Sequence, residues 1–180
     1  MGVLDSCSIN NFAIDGFMPG IKSIQHGASI IQSSDYEITT NISIIDPNKS
    51  IIFFTWRSID FFSVDYMPTA KITSNTQIKF QRGGNGGGST YINWTVVEFN
   101  NVKSKQSGET LTGTNQADID ITVVNRSKSI LIGTIRRLGS STDVRDIMYT
   151  VSFVSDTQVR FIFVTSLQNT HVVWQVIEFD

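Results

Sequence analysis

An internal repeat constrains this chain more than any other feature. The stretch Trp174-Gln-Val-Ile-Glu-Phe179 repeats Trp94-Thr-Val-Val-Glu-Phe99, with four of the six residues identical. Three further pairs of segments match at nearly the same spacing: 74–80 with 155–161, 49–52 with 128–131, and 21–27 with 102–108. A spacing that stays near 80 residues indicates a duplicated structural unit. The sequence therefore predicts module 1 (residues 21–100) and module 2 (residues 101–180) behind an N-terminal arm (residues 1–20).

Each module is small for an independent domain. A unit of about 80 residues buries a modest share of its surface, so we expect the modules to pack on each other or on partner chains. Charged residues make up only 17% of the chain, below the usual quarter. The net charge of −2 argues against a nucleic-acid-binding groove, which needs a clustered basic surface.

Both modules carry the pattern of short β-strands separated by turns. Ile38, Ile42 and Ile44 lie among polar residues at a spacing near two, and Asp46–Ser50 is a turn sequence. The predicted strands of module 1 are 21–24, 28–31 (after a turn at Gly27), 38–44, 51–56, 69–73, 76–82 and 91–99. Those of module 2 are 102–105, 119–124, 130–135, 148–154, 157–164 and 171–179. This pattern predicts an all-β chain of two tandem antiparallel β-sandwich modules with a short extended N-terminal arm.

The last strand of each module is apolar on both faces. Val96 and Val97 are adjacent and must point to opposite sides of the sheet. Trp94 adds bulk to one side, Phe99 to the other, and module 2 repeats the arrangement. A strand of this kind is predicted to be central in its sheet or to lie under a partner.

The residues that most often carry chemistry do not form a catalytic pattern. The glycine-rich run 83–89 lacks a following Lys-Ser/Thr and precedes a strand, which indicates a flexible hairpin connection and not a phosphate-binding loop. His26 and His171 are the only histidines and Cys7 the only cysteine. None of them has partners at the spacing of a metal site or a catalytic triad.

Four loop carboxylates occur at equivalent places in the two modules: Asp60, Asp65, Asp143 and Asp146. Their spacings match no calcium-binding loop, so solvated loop charges are the simpler interpretation. We therefore expect no enzyme activity, no metal and no cofactor.

The candidate binding residues are aromatic and arginine side chains. Phe61 and Phe62 are adjacent in a loop and cannot both enter one small core, and Trp56 lies just before them. Such residues mark contact sites, although a loop folded back over its own sandwich is the alternative. Phe12 and Phe17 belong to the arm, which either lies on another surface or is a frayed terminus.

Arg57 and Arg136 occupy matched positions at the end of the same strand. They are candidates for pairing with acidic groups on a neighbouring chain. Ordinary solvated arginines are the alternative.

The repeated segments resemble β-sandwich modules in virion proteins of tailed bacteriophages. The residues that carry the resemblance are Ile/Val-Lys-Ser-X-Gln-X-Gly, an Asp/Asn-X-X-Lys-Ser turn, Ser-X-Thr-Gln-Ile/Val-X-Phe and Trp-X-Val-Val/Ile-Glu-Phe, each present twice. The resemblance covers nearly all of residues 21–180. It implies a non-enzymatic structural role as a capsid decoration (cement) protein or a tail or fibre accessory.

The leading functional hypothesis is thus a virion component that binds other virion proteins, and copies of itself, through its arm and its apolar module faces. The N-terminus lacks the basic start and long apolar run of a signal peptide. We expect synthesis in the host cytoplasm, no nucleic-acid or membrane partner, and a homo-oligomer. The alternative is a carbohydrate-binding adhesion module for host-surface glycans with Trp56, Phe61 and Phe62 as stacking platforms. A β-sandwich hydrolase is disfavoured because no acid–base pair converges.

Overall fold

The structure is a computed structural model that describes residues 20–58, 67–84, 88–138, 145, 148–164 and 169–180. Across these residues the chain is all-β, as predicted, and a short 3-10 turn lies at Arg126–Lys128. The strands of module 1 are β1 (Ile21–Ile31), β2 (Glu37–Asn41), β3 (Ser50–Ser58), β4 (Thr69–Ser74), β5 (Gln77–Gln81) and β6 (Thr90–Phe99). Those of module 2 are β7 (Val102–Thr112), β8 (Gln116–Asp120), β9 (Ser129–Arg137), β10 (Tyr149–Ser155), β11 (Gln158–Phe163) and β12 (Thr170–Phe179).

Each module is a sandwich of two three-stranded antiparallel sheets. In module 1 the front sheet has the order β1-β6-β3 and the back sheet the order β2-β5-β4. In module 2 the front sheet is β7-β12-β9 and the back sheet β8-β11-β10. Every strand has its counterpart in the other module with the same neighbours, which confirms the predicted duplication. One apolar cluster fills the space between the two sheets of each module.

The closing strands β6 and β12 are central, as their two-sided apolar pattern predicted. Trp94 and Trp174 point into the cores of their modules. Phe99 and Phe179 lie on the opposite face, where their rings meet edge to face with centroids 5.0 Å apart.

The prediction that Gly27 turns the chain is wrong. β1 continues through Gly27, and β7 continues through Gly108. These glycines lie opposite Trp94 and Trp174 in the strand register. A Cβ on Gly27 would come within 2.2 Å of Trp94 Cζ2, and one on Gly108 within 2.7 Å of Trp174 Cζ2. Glycine is therefore present because the indole needs its space, not because the chain turns.

Two other local predictions are also wrong. The strand predicted over 38–44 ends at Asn41, and Ile44 is exposed outside it. The segment between β5 and β6 is not a hairpin connection, because those strands belong to different sheets. Its residues 85–87 lie outside the described residues, whereas Gly83 is buried with its Cα close to the Arg137 carbonyl of module 2.

The two modules pack on each other, which was one of the two expected outcomes. Phe99 and Phe179 join Ile51, Val97 and Ile177 in a buried cluster that both modules share. The side of module 1 where β3 and β4 are the sheet edges, called here the module 1 edge, faces the front sheet of module 2. There Gln175 Nε2 donates to the Ile52 carbonyl at 3.5 Å.

Candidate interaction surface

The repeated charged residues hold each module together. Glu98 lies on the central strand β6 and is only 2% exposed. Its carboxylate accepts hydrogen bonds from Lys22 Nζ at 2.8 Å, Ser23 Oγ at 3.1 Å and the Asp46 amide at 3.0 Å. The Lys-Ser pair, the Asp turn and the Glu of the repeated segments therefore form one network.

Module 2 repeats this network residue by residue. Glu178, also 2% exposed, accepts from Lys103 Nζ at 2.8 Å, Ser104 Oγ at 3.2 Å and the Asn125 amide at 3.0 Å. Sequence reasoning missed both carboxylates as buried groups. The available signal was a charged residue kept at the same place within two copies of an apolar strand.

These networks predict an acid-sensitive fold. Burial alone would raise the pKa of Glu98 and Glu178, but the hydrogen bonds from lysine, the backbone amide and serine outweigh burial and lower it. A lowered folded-state pKa adds stability at pH values above about 4.5, and this contribution is lost as pH falls through the folded pKa. The double substitution Glu98→Gln and Glu178→Gln should flatten this acid limb and cost about 1–3 kcal/mol per site at neutral pH.

Urea unfolding midpoints at a series of pH values measure this effect. The control is Glu37→Gln, whose carboxylate is 46% exposed and pairs with Lys79; solvent screening makes its effect small. An acid limb in the double variant as steep as that of the unaltered chain would contradict the assignment.

The glutamine that occurs in both copies of the same segment also has a structural role. Gln25 Nε2 donates to the Ser43 carbonyl at 3.0 Å, and the Ser43 amide donates to Gln25 Oε1 at 2.8 Å. Gln106 makes the same two-point contact with Thr122. The polar residues that the two copies share are thus engaged in holding the fold.

A group of charged residues meets at the junction of the modules. Glu109 of β7 forms ion pairs with Lys71 of β4 and with Arg136 of β9. His171 Nδ1 lies 2.5 Å from the same carboxylate. Burial and the Arg136 charge lower the pKa of His171, whereas the contacts with Lys71 and Arg136 outweigh burial and lower the pKa of Glu109. The arrangement is a charged clamp between modules, beside a cavity of about 210 Å³.

Lys105 belongs to the same junction. Its Nζ donates to the Pro47 carbonyl of module 1 at 2.7 Å. Burial lowers the pKa of this amine to about 8. A half-buried lysine on the module 2 sheet is thus held by a module 1 turn.

The two candidate arginines have different surroundings. Arg136 is 9% exposed and pairs with Glu109 of its own chain, not with an acid of a neighbouring chain. Arg57 is exposed, and its guanidinium carbon lies 4.6 Å from the centre of the Tyr91 ring. The matched position is therefore a clamp in module 2 and an exposed cation–π pair in module 1.

Trp56 packs against the core of module 1 and is half-buried. Phe12, Phe17, Phe61 and Phe62 lie outside the described residues, as do Cys7 and the carboxylates Asp60, Asp65, Asp143 and Asp146. Among the predicted aromatic contact residues, Trp56 is therefore the one that the described residues include.

An exposed apolar surface lies on the front sheet of module 1. We call the side of each front sheet that points away from its back sheet the outer face. The exposed residues on the module 1 outer face are Ile24, His26, Ala28 and Ile30 from β1, Asn93 from β6, and Phe53, Thr55 and Arg57 from β3. Ile24 is 48% exposed, Phe53 41% and Ile30 36%. A shallow hollow runs across this face between His26 and Phe53.

Few side chains on this face are of the types that carry out catalysis or bind metal ions. His26 Nδ1 lies 3.0 Å from Thr95 Oγ1, a hydrogen bond between neighbouring strands. In the part of the chain that the structure describes, no group of three or more His, Cys, Asp or Glu side chains could hold a metal ion. Among the same residues, no helix is long and apolar enough to cross a membrane.

Arg82, at the end of β5, is a buried cation that sequence reasoning also missed. It is 2% exposed, and its guanidinium donates to the carbonyls of Asp35 at 2.9 Å and Gln32 at 2.7 Å. Further bonds reach the carbonyls of Ser33 and Gly88. Arg82 therefore fastens the β1–β2 turn and the end of the glycine-rich segment to the sandwich.

The chain matches no family model, and comparison with curated proteins and with solved structures gave no match.

Proposed function

We propose that the chain is a non-enzymatic structural component of a bacteriophage virion, acting through contacts with neighbouring subunits. The observation that carries the proposal is the outer face of the module 1 front sheet. It leaves Ile24, Ile30 and Phe53 more than a third exposed on one face, as expected of a contact surface.

The use of the repeated polar residues supports a structural role. Glu98, Glu178, Gln25 and Gln106 are all engaged in holding the modules. The His171–Glu109 contact, which has the residue types of an acid–base pair, is tied up between Lys71 and Arg136. Placement in a virion follows from the resemblance of the repeated segments to phage modules.

The proposal is tested on phage particles induced from the host that encodes the chain. Mass spectrometry of particles purified by density gradient should detect the chain, and immunogold labelling should place it at one repeated position on the particle. A second preparation lacks residues 1–20; if the arm attaches the chain, it should fold yet bind stripped particles only at background level.

Three results would count against the proposal or a part of it. Recovery of the chain only in the particle-free fraction would show that it is not a component of the virion. Equal binding of the full and shortened chains would show that the arm does not attach the chain to the particle. Binding to purified host glycans with no binding to particles would favour the adhesion alternative.

A further inference from the structure

The contact between the modules joins two unlike surfaces. The outer face of the module 2 front sheet covers the module 1 edge, with Gln175 on the Ile52 carbonyl and Glu109 on Lys71. The equivalents of these surfaces are the module 1 outer face and the module 2 edge, formed by β9 and β10. The end of β9 meets module 1 at Gly83, but Met148, just before β10, and Ser152 on β10 stay exposed. A face-to-edge contact of this kind is heterologous, so it leaves one free surface at each end of the chain.

Burial shows the difference between the used and the free face. Val173 and Gln175 on the module 2 outer face are 3% and 6% exposed. Their equivalents in module 1 are Asn93, which is exposed, and Thr95, which is half-buried. The free face therefore lacks the cover that its copy has within the chain.

The edges differ in the same way. On the module 1 edge, Ile52 is 1% exposed and Ala70 2%, whereas their equivalents in module 2, Leu131 and Val151, are only partly buried. Met67, just before β4, packs against the core of module 2. The equivalent residue before β10 is again a methionine, Met148, and it is 55% exposed.

The charges change together on the two free surfaces. Within the chain, Glu109 on the covered face pairs with Lys71 on the covered edge. Their equivalents are Ala28 on the free face and Ser152 on the free edge, so neither charge is present. Likewise the half-buried Lys105 has Ile24 as its equivalent. A contact between the free surfaces would therefore bury no unpaired charge at these positions. Burial of an unpaired charge would be costly.

We propose that the module 1 outer face of one copy of this chain docks on the module 2 edge of a second copy, repeating the contact that joins the modules within each chain. The free face presents Ile24, Ala28, Ile30 and Phe53, and the free edge presents Met148 and Val151. Repetition of this head-to-tail contact produces a closed ring or an open chain of copies. The inference rests on the proposed function for its biological meaning, because it names a second copy as the neighbouring subunit.

The test is the mass of the purified full chain by light scattering across a concentration series. The unaltered chain should form species of at least twice its 20.0 kDa mass. Ala28→Glu places a carboxylate on the free face with no lysine opposite it on the free edge, and should shift the chain to monomer even though Arg57 lies on the same face. Adding Ser152→Lys to that variant recreates the Glu109–Lys71 arrangement between copies and should restore association.

The controls separate pairing from general charge effects. Ala28→Glu combined with Ile162→Lys, a 46% exposed position on β11, should remain monomeric. Ala28 and Ser152 are both exposed, and circular dichroism melting curves check that each variant is folded. A monomeric unaltered chain, association that survives Ala28→Glu, or failure of Ser152→Lys to restore association would each overturn the proposal. None of these outcomes decides particle binding, which is measured separately.

Discussion

Replacing Trp94 by alanine is expected to lower the free energy of unfolding by about 3–5 kcal/mol. Trp94 is 7% exposed at the centre of the front sheet, and its ring lies over Gly27. Its indole Nε1 also donates to Ser29 Oγ at 3.1 Å. The truncation leaves a cavity that the strands cannot close without breaking their pairing. Because the total free energy of unfolding of a protein is typically about 5–15 kcal/mol, this loss is a large fraction of it.

The reciprocal substitution tests the same contact from the other side. Gly27→Ala places a methyl group 2.2 Å from the Trp94 ring, and overpacking of this kind costs about 1–3 kcal/mol. In the Trp94→Ala background the added methyl group should cost much less, because the ring is gone. Gly113→Ala is the matched control, since a Cβ there meets nothing within 4 Å.

Urea unfolding of the four chains of this double-mutant cycle measures the coupling. Additive costs of Gly27→Ala and Trp94→Ala would show that the two residues do not compete for space. Equal costs for Gly27→Ala and Gly113→Ala would show that the loss comes from the backbone and not from the indole.

Arg82→Lys is expected to cost about 3 kcal/mol or more, although the charge is kept. The guanidinium reaches four backbone carbonyls and Thr90 Oγ1 in a fixed fork, a geometry that an ammonium group with three donors cannot reproduce. Carbonyls left unpaired in a buried site cost about 1–3 kcal/mol each.

The control for Arg82→Lys is Arg126→Lys, because Arg126 is half-exposed and pairs with Asp156 at the surface. That change should stay within about 0.5 kcal/mol. Comparable destabilisation by the two substitutions, measured by thermal and urea unfolding, would contradict the role given to Arg82. Hydrogen exchange should additionally show faster opening of the 32–35 turn in Arg82→Lys.

The architecture was accessible from sequence because it depends on local patterns that occur twice. Val96-Val97 and Val176-Ile177 are apolar on both faces, which predicted a strand that is central or lies under a partner, and both strands are central. The turns at Asp46 and Asn125 could also be predicted from the sequence, because these side chains accept hydrogen bonds from the local backbone. The duplication strengthened both predictions.

The missed features depend on which residue lies opposite which. Gly27 reads as a turn until the register places it under Trp94. Glu98 reads as an exposed polar residue until Lys22 and Asp46 converge on it from distant segments. Arg82 left one trace in the sequence, since its equivalent in module 2 is Phe163, a buried aromatic. An arginine where the other copy has an apolar core residue indicates a buried cation.

The candidate site was the least accessible part. The predicted contact residues were chosen for their type, and only Arg57 among the described ones lies exposed on the module 1 outer face. The sequence alone did not indicate which module faces are covered, because the junction joins unlike surfaces of the two copies.

The central strand of each front sheet is also the last strand of its module in chain order. During synthesis on the ribosome, β1 and β3 therefore have no hydrogen-bonded neighbour in the front sheet of module 1 until β6 has emerged. No partial front sheet is available as an early intermediate, so each sandwich should form late and in one cooperative step. Its contacts are far apart along the chain, which is the topology of slow folding.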